Sequence, residues 1–327
     1  MAFAAKPVCL LALCLSLCGL ANAQKKKKGK KDVEPTTQVH EVLPDPPLAV
    51  KVESSRLVFV SSPLSAKGLL SQQTKDALAA MRKQLRGATL VKVRAFVAGR
   101  GDARRVSAIV SEQFAEWKVP LPVLSVLQVG ALPLEGAQVW LEGIAEDRRP
   151  QNLNGLSWLE AKQVTKALGE SGDINAVLPL LEESLSALKG EVLSVSCMVS
   201  SLEGAAALDR AIANRLPNAA RTLVQAQRAT GSGLASCEGV ARRLTGEAER
   251  LVLTGTIIGF GGEAQGVQVV ETRLARLLET YNAKLLLRKA YGVSRSLEPR
   301  LGPMSVVEGV GSNEASFALE AIGVQKP

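Results

Sequence analysis

Three glutamates recur at one position of a repeated apolar strand pattern, and they are the first residues that could do chemistry. Each is the second residue of a five-residue segment, and the segments are Leu141–Ala145, Cys237–Ala241 and Leu319–Gly323. The glutamates are Glu142, Glu238 and Glu320. A buried carboxylate without a partner is costly, so each must be paired or hydrogen-bonded. We expect structural carboxylates at a strand edge or subunit junction, because structural ion pairs are more common than catalytic carboxylates.

Two cysteines, Cys197 and Cys237, remain after an expected cleavage that removes Cys9, Cys14 and Cys18 with the N-terminal leader. Cys197 shares its strand parity with Leu193 and Val195, and the apolar alternation places both cysteines on the helix-facing side of one sheet. If their strands are neighbours, a disulfide in an exported chain would add about 3 kcal/mol. Two buried thiols that act as small apolar side chains are the alternative.

The single histidine excludes several kinds of catalytic and metal site. His40 lies in an apparent linker, so no Cys/His metal site can be assembled around it. Ser–His and Cys–His catalysis would have to recruit this histidine from a flexible arm. The sequence therefore predicts no metal ion, and nothing in it requires an organic cofactor.

The composition is that of a globular protein without a nucleic-acid surface. Hydrophobic residues make up 46% and charged residues 22% of the 327 residues, and the 3% of aromatic residues is too few for stacking on bases. The formal charge is +9, but seven of the 40 Lys and Arg are Lys6 and the lysines of positions 25–31. The remaining 33 stand against 31 Asp and Glu, which gives no electrostatic argument for nucleic acid.

Residues 1–23 have the features of a secretory signal peptide. Lys6 is the charged region, Val8–Leu20 is an apolar segment too short to span a bilayer, and Ala21–Ala23 is an A-x-A cleavage site. We therefore expect an exported protein, either periplasmic or secreted. Residues 24–47 form a Lys- and Pro-rich linker. The lysines of this linker could touch an anionic surface such as envelope lipid, although a solvated spacer is the simpler interpretation.

The rest of the chain repeats one α+β pattern three times, in the units 48–149, 150–245 and 246–327. Each unit is predicted to be a mixed sheet with two helices on one face, in the order strand–helix–strand–helix–strand–strand. The predicted elements of the first unit are Leu57–Ser62, Ser71–Arg86, Leu90–Ala98, Ala103–Trp117, Ser125–Ala131 and Ala137–Ala145.

The second and third units depart from this pattern. The second begins with a weak strand at Leu156–Leu159, and its first helix is predicted at Ala176–Lys189. The third unit is shortened and is expected to lose its second helix. The segment 294–303 is too short for that helix and is broken by Pro299 and Gly302.

The order of elements, with these sequences, resembles the RidA (YjgF) family, whose units have a chorismate-mutase-like fold. The resemblance is carried by Leu124–Pro133 and Trp140–Ala145. The family reads Arg-Ser/Thr-x-Val-x-Val-x-x-Leu-Pro at the first segment and Glu-Ile-Glu-Ala-Ile-Ala at the second. Its members form trimers with pockets between subunits. The resemblance therefore implies that three units close the same ring within one chain, as a monomeric pseudo-trimer.

The resemblance also implies a role for Arg221. In the family, an arginine of the strand that ends in Leu-Pro binds the substrate carboxylate through two parallel hydrogen bonds. Only the second unit keeps it, as Arg221, whereas Leu124 and Met304 occupy the degenerate equivalent positions. Arg221 would then anchor a small carboxylate or imino acid, with Thr222 orienting it. A surface or interface salt bridge is the alternative role of Arg221.

The family hydrolyses 2-imino acids, but this chain lacks further parts of that site. The first glutamate of the family's last strand is replaced by Trp140, Ser236 and Ala318. Ser236 could position water but is a poor base. We therefore expect an exported, non-catalytic module that binds small carboxylates or acts as a scaffold. Residual enamine/imine deaminase activity at the Arg221 pocket is the alternative.

Overall fold

The computed structural model describes residues 43–99, 103–165, 190–203, 205–228 and 234–326. Within these residues the chain forms three mixed β-sheets and five α-helices, which confirms the predicted α+β class. The expected signal peptide at 1–23, most of the expected linker, and the helix predicted at Ala176–Lys189 lie outside the described residues. None of the described helices is both long enough and apolar enough to cross a membrane.

The α-helices of the described residues are α1 (Leu70–Gln84), α2 (Ala103–Trp117), α3 (Ala205–Arg215), α4 (Ala264–Thr280) and α5 (Glu298–Leu301). The strands are β1 (Ala49–Glu53), β2 (Leu57–Ser61), β3 (Thr89–Ala98), β4 (Val123–Val129), β5 (Val139–Glu146), β6 (Leu156–Thr165), β7 (Gly190–Val199), β8 (Ala220–Gln225), β9 (Leu234–Arg243), β10 (Arg250–Thr254), β11 (Ile257–Phe260), β12 (Ala283–Gly292), β13 (Ser305–Val306), β14 (Gly309–Val310) and β15 (Ala315–Gln325).

The three sheets share one strand order. The first sheet runs β4-β3-β5-β2, the second β8-β7-β9-β6, and the third β13-β12-β15 with β10 and β11 both paired to β15. In each sheet one pair of neighbouring strands is parallel, and the pairs are β3 with β4, β7 with β8 and β12 with β13. The last long strand of each repeat is antiparallel to the first strand of that pair, as β5 is to β3, β9 to β7 and β15 to β12. Two strands extend this pattern, because β1 pairs with β10 and β14 pairs with β4. The β14 strand thus carries part of the third repeat onto the edge of the first sheet.

The helices of the first repeat cover one face of its sheet, as predicted. Val93 and Ala95 of β3 share a core with Leu78 of α1 and with Val106 and Phe114 of α2. The core residues of α2, which are Ala103, Val106, Val110 and Phe114, recur at intervals of three or four, and this spacing puts apolar side chains on one helix face. The alternate residues of β3 therefore point away from the helices, towards the other two sheets.

The third repeat keeps a remnant of the helix that we expected it to lose. A 3-10 turn at Arg295–Leu297 leads into the four-residue helix α5, which has Pro299 in its first turn. Gly302 ends α5 at a φ of 69°, a left-handed conformation that glycine adopts without strain. The opening strand of the same repeat, β10, is followed directly by a second short strand, β11, and both pair with β15. At the break, a Cβ on Gly255 would lie 2.6 Å from the carbonyl oxygen of Leu124.

A β-bulge recurs at the same place in all three sheets and corrects the predicted parity of the strands. The registers shift between Leu90 and Lys92 in β3, between Val192 and Ser194 in β7, and between Leu285 and Leu287 in β12. Leu193 consequently packs in the core between the sheets, not on the helix-facing side of Val195. The extra residue of a bulge turns the side chains before it to the opposite face.

Cys197 and Cys237 are directly opposite each other on β7 and β9, and the structure joins them in a disulfide. Both are buried in a core that includes Leu208 and Ile212 of α3. The bond links two central strands of the second sheet, and it closes a loop with a sequence separation of 40 residues.

We predict that reducing this disulfide will lower the free energy of unfolding by about 3–4 kcal/mol, since the bond restricts the unfolded chain over a loop of this length. The measurement is urea unfolding with and without reductant. The double variant Cys197→Ala with Cys237→Ala serves as the control and should show no reductant dependence. Two free thiols in the unfolded, unreduced protein would contradict the bridge.

Candidate functional site

The three recurrent glutamates lie at equivalent places on the faces that the sheets turn towards each other. Across the strand pairs, Arg94 is opposite Glu142, Ser196 is opposite Glu238 and Lys289 is opposite Glu320. The second sheet therefore has a serine where the other two have a cation. Its carboxylate must be neutralised from outside its own sheet, because an unpaired buried charge is strongly unfavourable.

The missing cation is supplied by both neighbouring sheets. The guanidinium of Arg94, on the first sheet, contacts the carboxylate of Glu238 and lies 3.3 Å from that of Glu142. The ammonium of Lys289, on the third sheet, lies 2.7 Å from the other carboxylate oxygen of Glu238. Lys92 of the first sheet contacts Glu320 of the third. We call these six residues the charged layer: Lys92, Arg94, Glu142, Glu238, Lys289 and Glu320.

Polar groups around the charged layer satisfy much of its remaining hydrogen-bonding capacity. The Lys92 ammonium donates to the carbonyl oxygen of Thr254 at 2.7 Å. The Tyr291 hydroxyl donates to Glu320 at 3.1 Å. Thr222 donates to Glu142 and lies 3.0 Å from the hydroxyl of Ser196. With three cations and three carboxylates, the layer is neutral when every member is ionised.

The charged layer is enclosed by apolar residues of the same strands. Phe96 and Trp140 lie on one side of the layer, two positions along their strands from Arg94 and Glu142. Ile144, Val240 and Ile322 lie on the other side, two positions from the three glutamates. These side chains limit the contact of the ion pairs with water, and the side chains of Glu142, Glu238 and Lys289 are only 15–16% exposed. In such surroundings the attraction between opposite charges and the cost of leaving a charge unpaired both increase.

Burial and pairing shift the pKa values of the layer in opposite directions. Burial, together with the nearby Arg94 and Lys289, holds the pKa of Lys92 well below its usual value, and burial also lowers the pKa of Lys289. Burial opposes ionisation of Glu238, but Arg94 and Lys289 outweigh it and lower the pKa of this carboxyl to about 2. Burial raises the pKa of Tyr291, which therefore stays a hydrogen-bond donor.

Arg221 lies away from the charged layer, on the other side of β8. It lines a cavity of about 400 Å³ together with Ser61, Ser62, Trp140 and Asp209, among others. Its Nε atom lies 3.8 Å from Oδ1 of Asp209 on α3, and its Nη1 is 3.5 Å from the carbonyl oxygen of Leu216. The Arg221 and Asp209 side chains are 27% and 49% exposed, so the pair faces the cavity and solvent.

Thr222 and Ser236, which were predicted for the Arg221 site, do not join it, and the predicted equivalents of Arg221 in the other two repeats lie elsewhere. Thr222 is buried and points into the charged layer, because successive residues of a strand face opposite sides. Ser236, on β9, lies opposite Met198 of β7 and does not line the cavity. Leu124 pairs with Val93 and packs on the helix side of the first sheet, and Met304 is buried in the core of the third repeat.

Sequence reasoning missed the partners of both sites. Lys92 and Arg94 alternate with apolar residues in one strand, a signal that both cations face the same side and are buried there. Their carboxylate partners lie on other sheets, so no local pattern pairs them. Asp209 lies on an exposed helix face, and only the fold brings it beside Arg221.

No family model matches this chain, and no curated protein matches it. Among solved structures, it is similar to a cyanuric acid hydrolase described as an "evolutionary innovation by structural concatenation", with a TM-score of 0.24 and 11% identity over 82% of this chain and 100% of that one. A second cyanuric acid hydrolase, from A. caulinodans, has a TM-score of 0.24 and 11% identity over 83% and 100% of the two chains. A chorismatase has a TM-score of 0.23 and 11% identity over 82% and 98%.

These comparisons correct the expected family. These three matching structures are two cyanuric acid hydrolases and a chorismatase, not RidA proteins, so the RidA resemblance is wrong. The small-carboxylate or scaffold module and the imine deaminase were inferred from that resemblance and fall with it. At these TM-scores, the likeness to the hydrolases carries no argument about activity either.

We predict that the protein loses stability as the pH falls from about 4.5 to about 2. The native Glu238 stays ionised down to a pKa of about 2, whereas in the unfolded chain it takes up a proton near its usual value of 4.5. The unfolded state therefore binds more protons over this range, and the loss should be on the order of 3 kcal/mol. Urea unfolding at several pH values measures it.

The variant Glu238→Gln tests the same prediction. At neutral pH it should lower the free energy of unfolding by about 3–5 kcal/mol, because Arg94 and Lys289 lose their shared carboxylate. It should also reduce the acid dependence. The control is Glu191→Gln on the same sheet, whose side chain is 48% exposed in its pair with Arg242. Equal losses in the two variants would show that the charged layer has no special weight.

Proposed function

We propose that this protein is an exported binding protein for a small neutral molecule that presents hydrogen-bond donors and acceptors on one edge. The site is the cavity of about 400 Å³ lined by Arg221 and Asp209. The observation that carries the proposal is the Arg221–Asp209 pair on the cavity wall, with a separation of 3.8 Å. This distance is too long for a hydrogen bond, so both groups keep capacity for a ligand.

The charges of the pair favour a neutral ligand over an anion. An anion that approaches Arg221 also approaches the Asp209 carboxylate, which repels it. A guanidinium offers only donors and a carboxylate only acceptors, so a ligand with both kinds of group is complementary to the pair. The Arg221 side chain is 27% exposed on the cavity wall, so its guanidinium can donate to such a ligand.

The cavity has the size and walls of a small-molecule site. Its volume falls within the range of roughly 300–1,000 Å³ that is typical of ligand pockets. The apolar part of the wall comes from Leu64, Pro133, Trp140 and Leu223. The indole N–H of Trp140 donates to the carbonyl oxygen of Ser62 at 2.8 Å, which fixes the ring. A sugar or a cyclic amide combines an apolar face with an edge of alternating donors and acceptors, as this wall requires.

The N-terminal sequence supports the location that this function needs. The charged and apolar regions of residues 1–23, followed by Ala21–Ala23, favour export. An exported binding protein would meet small polar nutrients or cell-wall fragments before they reach the cytoplasm. The disulfide between Cys197 and Cys237 is consistent with an oxidising compartment.

We further propose that the chain acts as a monomer in which its three repeats form an internal pseudo-trimer. The charged layer supports this, because each sheet already finds its ionic partners on the other two. Light scattering of the mature protein should give the mass of one chain. A stable trimer of full chains would contradict the proposal.

We predict that Arg221→Ala and Asp209→Ala will each weaken binding of the neutral ligand about 10- to 100-fold, since each removes a charge-assisted hydrogen bond. The measurement is calorimetric titration with monosaccharides, with cyclic amides and with a 2-oxo acid. The first two arms distinguish the two neutral ligand classes. The acid arm tests the anionic alternative and should bind more weakly.

A matched control is available in the third repeat. The side chains of Arg288 and Glu271 are 26% and 46% exposed in their ion pair, which is nearly the exposure of Arg221 and Asp209. Arg288→Ala should leave ligand affinity unchanged. If the 2-oxo acid binds more tightly than the neutral compounds, and Asp209→Ala strengthens it, the site is an anion site and the proposal fails.

A further inference from the structure

A pocket of about 210 Å³ opens in the first repeat, where the helices α1 and α2 end. Its apolar walls come from Leu85, Leu90, Phe114, Trp117 and Val119. An engineered cavity of about 150 Å³ with apolar walls is large enough to bind benzene. This pocket therefore has room for a ring or for the end of an alkyl chain. None of the residues that line it lines the Arg221 cavity.

Two aromatic rings of α2 form one wall of the pocket, and a cation is held against them. The Phe114 and Trp117 rings are tilted against each other, with their centroids 5.3 Å apart. The guanidinium of Arg82, on α1, lies over the Trp117 ring at 4.7 Å from its centroid and also lines the pocket. The attraction between the charge and the ring fixes Arg82 there, but it gives the N–H groups of the guanidinium no acceptor.

Two further cations stand at the rim, because each helix is followed by a basic residue. Arg86 lies just after α1 and Lys118 just after α2, and the residues on both sides of each line the pocket. Both side chains are exposed. Within the part of the chain that the structure describes, Arg82, Arg86 and Lys118 form no ion pair and donate no side-chain hydrogen bond.

The backbone at Arg86 and Lys118 is unusual for such residues. Both are in the left-handed region, with φ values of 47° and 55°. Helices usually end in this conformation with glycine or asparagine, because other side chains are strained in it, and Asn282 (φ 50°) follows this rule after α4. The helix dipole does not account for Arg86, since Arg82 and Lys83 already supply cations in the last turn of α1.

The carboxylates nearest to the rim do not balance its charge. Glu116, in the last turn of α2, accepts a hydrogen bond from Gln113 at 2.8 Å. Glu146, which is opposite Thr89 of the pocket wall, lies 3.6 Å from Arg56. Three cations therefore stand against one nearby carboxylate that has no cation of its own, Glu116. An apolar pocket with a positively charged rim is complementary to a molecule with an apolar tail and an anionic head group.

We propose that this pocket binds an amphiphile that has an alkyl tail and a phosphate head group. The end of the tail lies against the Phe114 and Trp117 rings, and the head group lies between Arg82, Arg86 and Lys118. A phosphate suits three separate cations, because its several oxygens accept from more than one donor at a time. A phospholipid and a dispersed alkyl phosphate share this chemistry. The site is distinct from the Arg221 cavity, so its test does not depend on the proposed function.

The first test compares three probes by calorimetric titration of the mature protein, below the concentrations at which they form micelles. Octyl phosphate carries both parts of the ligand, octyl glucoside has the same tail with a neutral head group, and inorganic phosphate is the head group alone. Octyl phosphate should bind about tenfold more tightly than either of the others, because it alone uses both the pocket and the rim. An affinity for either control equal to that for octyl phosphate would overturn the proposal.

The second test is the double variant Arg86→Gly with Lys118→Gly. Glycine adopts the left-handed conformation without strain, so the variant should fold, which its unfolding midpoint checks. Its affinity for octyl phosphate should fall about tenfold and its affinity for octyl glucoside should stay the same, since only charge is removed from the rim. Asn282→Gly, at the matching position after α4, is the control and should change neither affinity. Equal octyl phosphate affinities in the wild type and the double variant would overturn the proposal.

The third test concerns the tail and the source of the ligand. Ala88 is half-buried in the pocket wall, so Ala88→Phe should fill the pocket and weaken the binding of octyl phosphate and octyl glucoside alike. Unchanged binding of octyl phosphate by this variant would overturn the proposal. Sedimentation of the wild type with phosphatidylglycerol vesicles, but not with phosphatidylcholine vesicles, would identify a membrane phospholipid as the ligand. Binding of octyl phosphate without sedimentation would identify a dispersed amphiphile.

Discussion

The ionic demand of one carboxylate, Glu238, determines how the three repeats of this chain fit together. Its own sheet offers Ser196 opposite it, so the cations must come from Arg94 on one neighbouring sheet and Lys289 on the other. A buried ion pair contributes little net stability over a well-packed apolar alternative, but breaking it is expensive. The pairs therefore act mainly against wrong arrangements of the sheets. A packing that separates the second sheet from both neighbours would leave Glu238 unpaired.

The repeats are consequently similar in backbone but not exchangeable. The common strand order and the common bulge give each sheet an inner face with one glutamate at the same height. The cations are distributed unevenly: two on the first sheet, none on the second and one on the third. Lys92 is one of these, and it reaches across to Glu320 of the third sheet. A symmetric set of cations would pair within each sheet and would not require the sheets to meet.

The sequence predicted the local elements of the fold, but it did not predict the contacts between residues of different sheets. The alternation of apolar residues and the helical periodicity predicted most strands and helices, and the triplet of glutamates marked the inner faces. The predicted side of the sheet for Leu193 was wrong, because the bulge at Val192–Ser194 cannot be recognised from the alternation of apolar residues. The expected family was also wrong, because the order of strands and helices describes a fold and does not by itself identify a family. The pairing of Arg221 with Asp209 needed the fold, since helix α3 brings the carboxylate there.

Neighbouring residues of β8 show how one repeat can carry two unlike sites. Arg221 points to the helix side, where Asp209 balances its charge and the cavity wall is neutral overall. Thr222 points to the inner side and donates to Glu142 of the charged layer. Because the two side chains lie on opposite faces of one strand, the chemistry of the Arg221 cavity can change without altering the charged layer. The second repeat has this freedom because Ser196, in place of a long cation, leaves space at the centre.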